Sequence, residues 1–265
     1  MKRFTILLTL MFLLAALQNK AQYYEPGQTV SSTKSSGLNI SMYTGLDNDR
    51  YETMSLGHVL SFAKNPDALS QDLSHLEEET TTKTAGVALY VNLGISPIRN
   101  ESRNIDREIQ VGIGIHSDKE AMVSYKSEDL DTSIVFCNLH SEFTLEGAYL
   151  FKGKWGKIVH WHIGLGANGG MTYGNEMILI NGGYFEPGAH PSTQPAEEMN
   201  MEKFEAKQVY YTRGFIQHGI HLGFGPHWQV GLNMRTGMGL QFIEGADPNF
   251  IQKTGSLQSG AKYGF

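Results

Sequence analysis

His160 and His162 stand two residues apart, just after the turn-like stretch KGKWG, and the run before that turn carries His140, Glu142 and Glu146. Further along the chain lie His221, Asn233 and Arg235. Imidazoles two apart on a strand share one face, and a carboxylate from the neighbouring strand can complete a metal-ligand set or an acid/base pair. If the turn centres near Lys154, Glu146 falls opposite His162, Ala148 opposite His160, and His140 opposite Asn168. The competing reading is a polar network filling a narrow interior, where ionisable groups pair because unpaired burial is costly. The sequence contains no compact metal motif of known spacing. His140, Glu142, Glu146, His160, His162, His221 and Arg235 are therefore read as a polar cluster, with no catalytic, cofactor or metal assignment.

Two other patterns carry less weight. GLGANG, with Gly164, Gly166 and Gly169, formally matches a dinucleotide fingerprint, but no helical periodicity follows it. Alternating glycines also suit a crowded strand face. HSDKE offers His116, Ser117 and Glu120 as a Ser/His/acid set, although polar residues of this kind are common in turns.

These residues need strands to position them. After the first residues no sustained apolar stripe at helical spacing appears, whereas alternation at period two recurs throughout. In TAGVALYVNLGI the apolar set is Ala85, Val87, Leu89, Val91, Leu93 and Ile95. Comparable sets run through 109–115, 135–151, 159–167 and 228–242. The pattern predicts ten strands, at about 37–44, 53–62, 84–95, 107–116, 119–127, 133–151, 157–173, 207–224, 227–243 and 256–265. In this count HSDKE is a turn.

The connections after Phe151 and Phe224 are tight, while the one from 174 to 206 is long, acidic and proline-containing. Bacterial outer-membrane barrels alternate short periplasmic turns with long outer loops in this way. The acidic stretch from about 63 to 82 breaks the alternation, because the ten-strand count puts it on the periplasmic side. The first two strands are then open to reassignment, leaving an eight-stranded barrel from residue 84.

At the N-terminus Lys2 and Arg3 precede the apolar run FTILLTLMFLLAAL, which has the form of a secretory signal peptide spanning 1–21. Removing Lys2, Arg3 and Lys20 takes the formal net charge from −6 to −9, which argues against nucleic acid as a partner. The single Cys137 cannot form an intramolecular disulfide. Charged residues are only 18% and glycine contributes 30 residues, a profile that suits a sheet with many turns. Trp155, Trp161, Trp228, Tyr210 and Tyr211 fall at predicted strand ends, where an interfacial girdle or, alternatively, a sugar-binding platform would lie.

The last residues, QSGAKYGF, place Gln258, Gly260, Tyr263 and Phe265 in a polar, glycine, aromatic, aromatic sequence. This resembles the C-terminal insertion signal of outer-membrane β-barrel proteins, which the barrel-assembly machinery reads. As an architecture, the chain from about Ser36 onward is similar to the small outer-membrane barrels of Gram-negative bacteria. The signal ending in AQ and the many Tyr and Gly resemble members found in Bacteroidota. The resemblance implies an all-β, antiparallel transmembrane barrel of 8 or 10 strands over 37–265, both termini periplasmic, preceded by a periplasmic segment at 22–36. It also implies outer-membrane lipid and the assembly machinery as partners, with loop 174–206 the place for an extracellular one. The expected function is structural, adhesive or assembly-related, without catalysis. The alternatives are a lipid-modifying enzyme using Glu146 and His162, or a soluble lipocalin-like protein whose apolar faces turn inward.

Overall fold

In a computed structural model the described residues are 37–51, 56–65, 76–78, 83–96, 105–127, 133–156, 158–181 and 200–265. The expected signal peptide, the 22–36 segment and residues 182–199 of the long loop lie outside them. The strands are β1 (Leu38–Tyr51), β2 (Leu76–Glu78), β3 (Lys83–Ile95), β4 (Ile105–Ser127), β5 (Ser133–Trp155), β6 (Val159–Asn181), β7 (Asn200–Glu205), β8 (Val209–Phe224), β9 (Trp228–Ile243) and β10 (Asn249–Gly264). One short helix, α1, spans Leu56–Leu60.

Eight of the strands close a ring. Their antiparallel order is β1-β3-β4-β5-β6-β8-β9-β10, and β10 returns to β1 through pairs such as Tyr43 with Gly260. β2 and β7 extend the wall by pairing with the upper ends of β4 and β6. Closure satisfies every edge of the ring, which is the condition for a sheet to stand in lipid. β4, β5 and β6 each run 23 residues, well beyond the ~10 that a tilted membrane strand needs, so this side of the wall rises past the bilayer.

Three predicted strands differ from the structure. Residues 107–116 and 119–127 are one strand, so HSDKE is no turn: β4 passes straight through it with a bulge between His116 and Lys119. The predicted strand 53–62 is replaced by α1, whose Leu56, Val59 and Leu60 share one helical face, a spacing that a short apolar run cannot distinguish from alternation. Both changes move the acidic 63–82 stretch to the same end as the other long connections. The eight-membered ring thus includes β1, rather than starting at residue 84.

The bulges also explain where the core sits. In the lower wall the odd-numbered apolar residues of β4, Ile109 to Ile115, face outward and are exposed. The single extra residue in the bulge between His116 and Lys119 reverses the faces, so Val123 and Tyr125 point inward and are buried. On β6 the shift falls opposite Leu139 and Ser141, where Gly174 has φ 64°, the left-handed conformation of a glycine bulge. Met171 below it is exposed and Met177 above it is buried. The result is a polar lumen below and an apolar plug above, made by Tyr51, Phe62, Tyr125, Phe136, Leu179 and their neighbours.

Candidate functional site

The lower wall turns its apolar residues outward on every strand of the ring, with Leu46 66%, Leu165 67% and Leu232 56% exposed. The lipocalin-like alternative requires the opposite, so it is set aside. Trp155, Trp161 and Trp228 gather at the end of the tight turns 156–158 and 225–227, and Tyr263 and Phe265 join them. Tyr210 faces outward near the other rim, whereas Tyr211 turns into the lumen under Arg213 and forms no part of a girdle. A closed ring with an apolar outside, a polar inside and aromatic rims is a transmembrane β-barrel. The tight turns define its periplasmic end and the long connections its outer end, with β1 beginning and β10 finishing on the periplasmic side.

Inside, the turn centres on residue 157, not on Lys154, because Trp155 pairs with Val159. The difference shifts the β5–β6 register. Glu146 faces Asn168, Ala148 faces Gly166, Lys152 faces His162, and His140 lies at the register shift without a direct partner on β6. Glu146 and His162 are not brought together. Instead Arg235 Nη1 and Nη2 donate to the two Glu146 oxygens at 2.7 and 2.8 Å. Arg235 Nε donates to Gln217 at 3.1 Å, and Gln217 reaches His162 at 3.4 Å. His162 stacks on His221 with ring centroids 5.0 Å apart, and His221 Nε2 lies 3.0 Å from the Tyr43 hydroxyl. Half-buried His160 is the register partner of His221 on the periplasmic side.

Nearer the outer end Glu142 is the hub. Arg213 Nη2 donates to it at 3.0 Å and to Asp49 at 2.7 Å. Lys119 Nζ bridges the same two acids at 2.8 and 3.0 Å, and His140 Nε2 lies 3.4 Å from Glu142. His116 Nδ1 is 3.1 Å from Asp47, which also accepts from the Tyr90 hydroxyl. Ser117 is exposed and Glu120 accepts from Cys137 Sγ at 3.3 Å, so the Ser/His/acid set does not assemble. At the periplasmic end fully buried Glu108 accepts from Lys262 at 2.8 Å, from Lys152, from Asn39 at 2.7 Å and from Gln110 at 2.7 Å.

The charges balance. Among the described residues the paired lumenal acids are Asp47, Asp49, Glu108, Glu142 and Glu146, and the paired bases are Lys119, Lys152, Arg213, Arg235 and Lys262. Five against five leaves no net lumenal charge, unlike the single-sign rings of ion-selective pores. Two lumenal cavities of about 20 Å³ each have room for about one water. GLGANG forms part of this packing: a Cβ on Gly166 would meet the Phe215 ring at 2.5 Å. Above the membrane, burial pushes the Cys137 thiol up to about 12, helped by the Glu120 carboxylate, so it is a poor nucleophile.

Gln258 is buried in the lumen, and Gly260 packs so closely on β1 that a Cβ would meet Met42 O at 2.1 Å. Tyr263 packs edge-on against Trp228, and the Phe265 N–H donates to Leu38 O at 3.1 Å. Asp47, Asp49, Glu108, Lys119, Arg213 and Lys262 escaped the sequence reading. Asp47 and Asp49 stand at strand-period spacing and could have been found, whereas Lys119 is hidden by the β4 bulge.

The chain is an outer-membrane β-barrel. No protein-family model matches it, and no curated protein matches it in sequence. Among solved structures it is similar to Neisserial surface protein A (8% identity, TM-score 0.35, covering 87% of this chain and 99% of that one). It is also similar to OprG from Pseudomonas aeruginosa (9% identity, TM-score 0.36, covering 87% and 97%). A third is Ail, the attachment invasion locus protein of Yersinia pestis, solved with the heparin analogue sucrose octasulfate (12% identity, TM-score 0.31, covering 86% and 99%).

Proposed function

We propose that this protein is a non-conducting, non-enzymatic barrel that mounts an outer surface for a structural, adhesive or assembly role. The observation that carries the reading is the lumen itself, filled by a balanced network of five acids and five bases and closed above by an apolar plug. A polar path with no net charge and cavities of one water's size is a poor route for solutes. The groups with chemical potential, Glu146 and His162, are buried and point inward, away from outer-leaflet lipid, which favours the non-enzymatic reading over lipid modification.

The tall β4-β5-β6 wall, extended by β2 and β7, lifts the long connections clear of the membrane, and 174–206 remains the place for an extracellular partner. Reading of Gln258, Gly260, Tyr263 and Phe265 by the assembly machinery, export by the 1–21 signal, and kinship with Bacteroidota barrels belong to the same proposal. Their support is the sequence patterns themselves. Planar-bilayer recording of the refolded protein tests the central point. Current indistinguishable from the bare bilayer is expected, and steady channel steps would contradict it.

A further inference from the structure

On the outward face of β1 the residues change character in order: Leu46, Asn48, Arg50. The register carries each step onto both neighbours. Leu46 pairs with Leu257 and Val87, Asn48 with Gly255 and Ala85, and Arg50 with Lys253 and Lys83. On β1 and β10 the outward positions therefore run from an apolar row through a small polar row to a basic row of Arg50 and Lys253, in rising order toward the outer end.

Direct cross-strand partners stand about 5 Å apart, and like charges placed so are destabilising on their own. Arg50 and Lys253 are exposed, and among the described residues neither forms an ion pair. The row is also confined. On β4 the position opposite Lys83 is Met122, and on the far side β9 presents exposed Met238. At the periplasmic end of the same three strands the outward residues are apolar: Leu38, Ile40, Leu93, Ile95 and Tyr263. On these strands the basic row thus occurs at the outer end alone, separated from exposed Leu46, Leu257 and Val87 by the Asn48 and Gly255 row.

We propose that Arg50 and Lys253 form a binding site for the phosphate group of an outer-leaflet lipid, whose acyl chains lie on the apolar row beneath. Arg50 supplies the planar fork that fits phosphate, and Lys253 adds a point charge. The site rests on the outer-membrane placement of the barrel and is independent of whether the lumen conducts.

The test uses wild type and R50Q/K253Q in phosphatidylcholine nanodiscs doped with phosphorylated or dephosphorylated lipid A, with lipid retention read by native mass spectrometry. Each charge near an anionic surface contributes about fivefold in affinity, so the double variant should retain roughly 25-fold less phosphorylated lipid. Dephosphorylated lipid should bind wild type and variant alike, and R50K should keep an intermediate share. Gel mobility before and after boiling establishes that each variant is folded. Equal retention of both lipids by wild type, or no loss in the double variant, overturns the proposal. Displacement of the lipid by millimolar inorganic phosphate also overturns it, because the site would then take the free ion.

Discussion

Replacing Arg235 with Ala removes a guanidinium that grips Glu146 through two bonds of 2.7 and 2.8 Å and lies over the Tyr90 and Phe215 rings at 4.5 and 4.9 Å. Both members of the pair are about 5% exposed, so Glu146 would be left as a buried carboxylate with its charge uncompensated. Stranding one member of a buried pair costs about 3–5 kcal/mol, and the lost cation–π contacts add about 1. R235A should therefore be destabilised by about 4–6 kcal/mol. Replacing both members by apolar groups of similar volume removes the stranded charge, so R235M/E146L should fall within about 1 kcal/mol of wild type. Urea unfolding of barrels folded into lipid vesicles, followed by tryptophan fluorescence, reads both values. A water-filled lumen would solvate the stranded carboxylate. R235A within 1 kcal/mol of wild type, or a double variant as unstable as the single one, would refute the packed-lumen reasoning.

Three further outcomes are expected. Burial holds the His58 imidazole below its ordinary value, with Asp247 opposing weakly. Because the undocked state takes the proton more readily, docking of α1 is at full strength above about pH 6.5 and weakens as the pH falls below it. Hydrogen exchange of 56–64, corrected for intrinsic rate, should rise from pH 7.5 to pH 5 in wild type and stay level in H58Q; equal changes in both would exclude His58. Cys137 should resist iodoacetamide at pH 8 in the folded protein and react once unfolded in urea, and rapid folded-state labelling would contradict its burial. G260V should fail to give the compact unboiled band, since its side chain would overlap Met42 O and the Tyr43 ring, and normal folding would refute the close approach of β10 to β1.

What was legible in the sequence was whatever period two records directly. The apolar faces of β3, β5, β8 and β9, the tight turns and the pairing of charges within a narrow lumen follow from alternation and from the cost of an unpaired buried ion. What stayed hidden came from single-residue irregularities. The bulge at Ser117–Asp118 keeps the apolar residues on odd numbers while turning them from lipid to interior, so one continuous strand looks like two with a turn between them. The Gly174 bulge does the same on β6 and conceals its extension to Asn181. Register was the other loss. A turn centre three residues later moves every β5–β6 pair, which is why Glu146 meets Arg235 on a strand distant in sequence rather than His162 next door.

The closed ring and its apolar outer wall make the protein a barrel that stands in the outer membrane. The most direct test is gel mobility of the protein extracted from the outer-membrane fraction in mild detergent, boiled against unboiled. A compact, faster band that shifts on boiling is predicted, because the eight-strand ring holds together in detergent until heat opens it. A single unshifted band, with the protein recovered in the soluble periplasmic fraction, would contradict the claim.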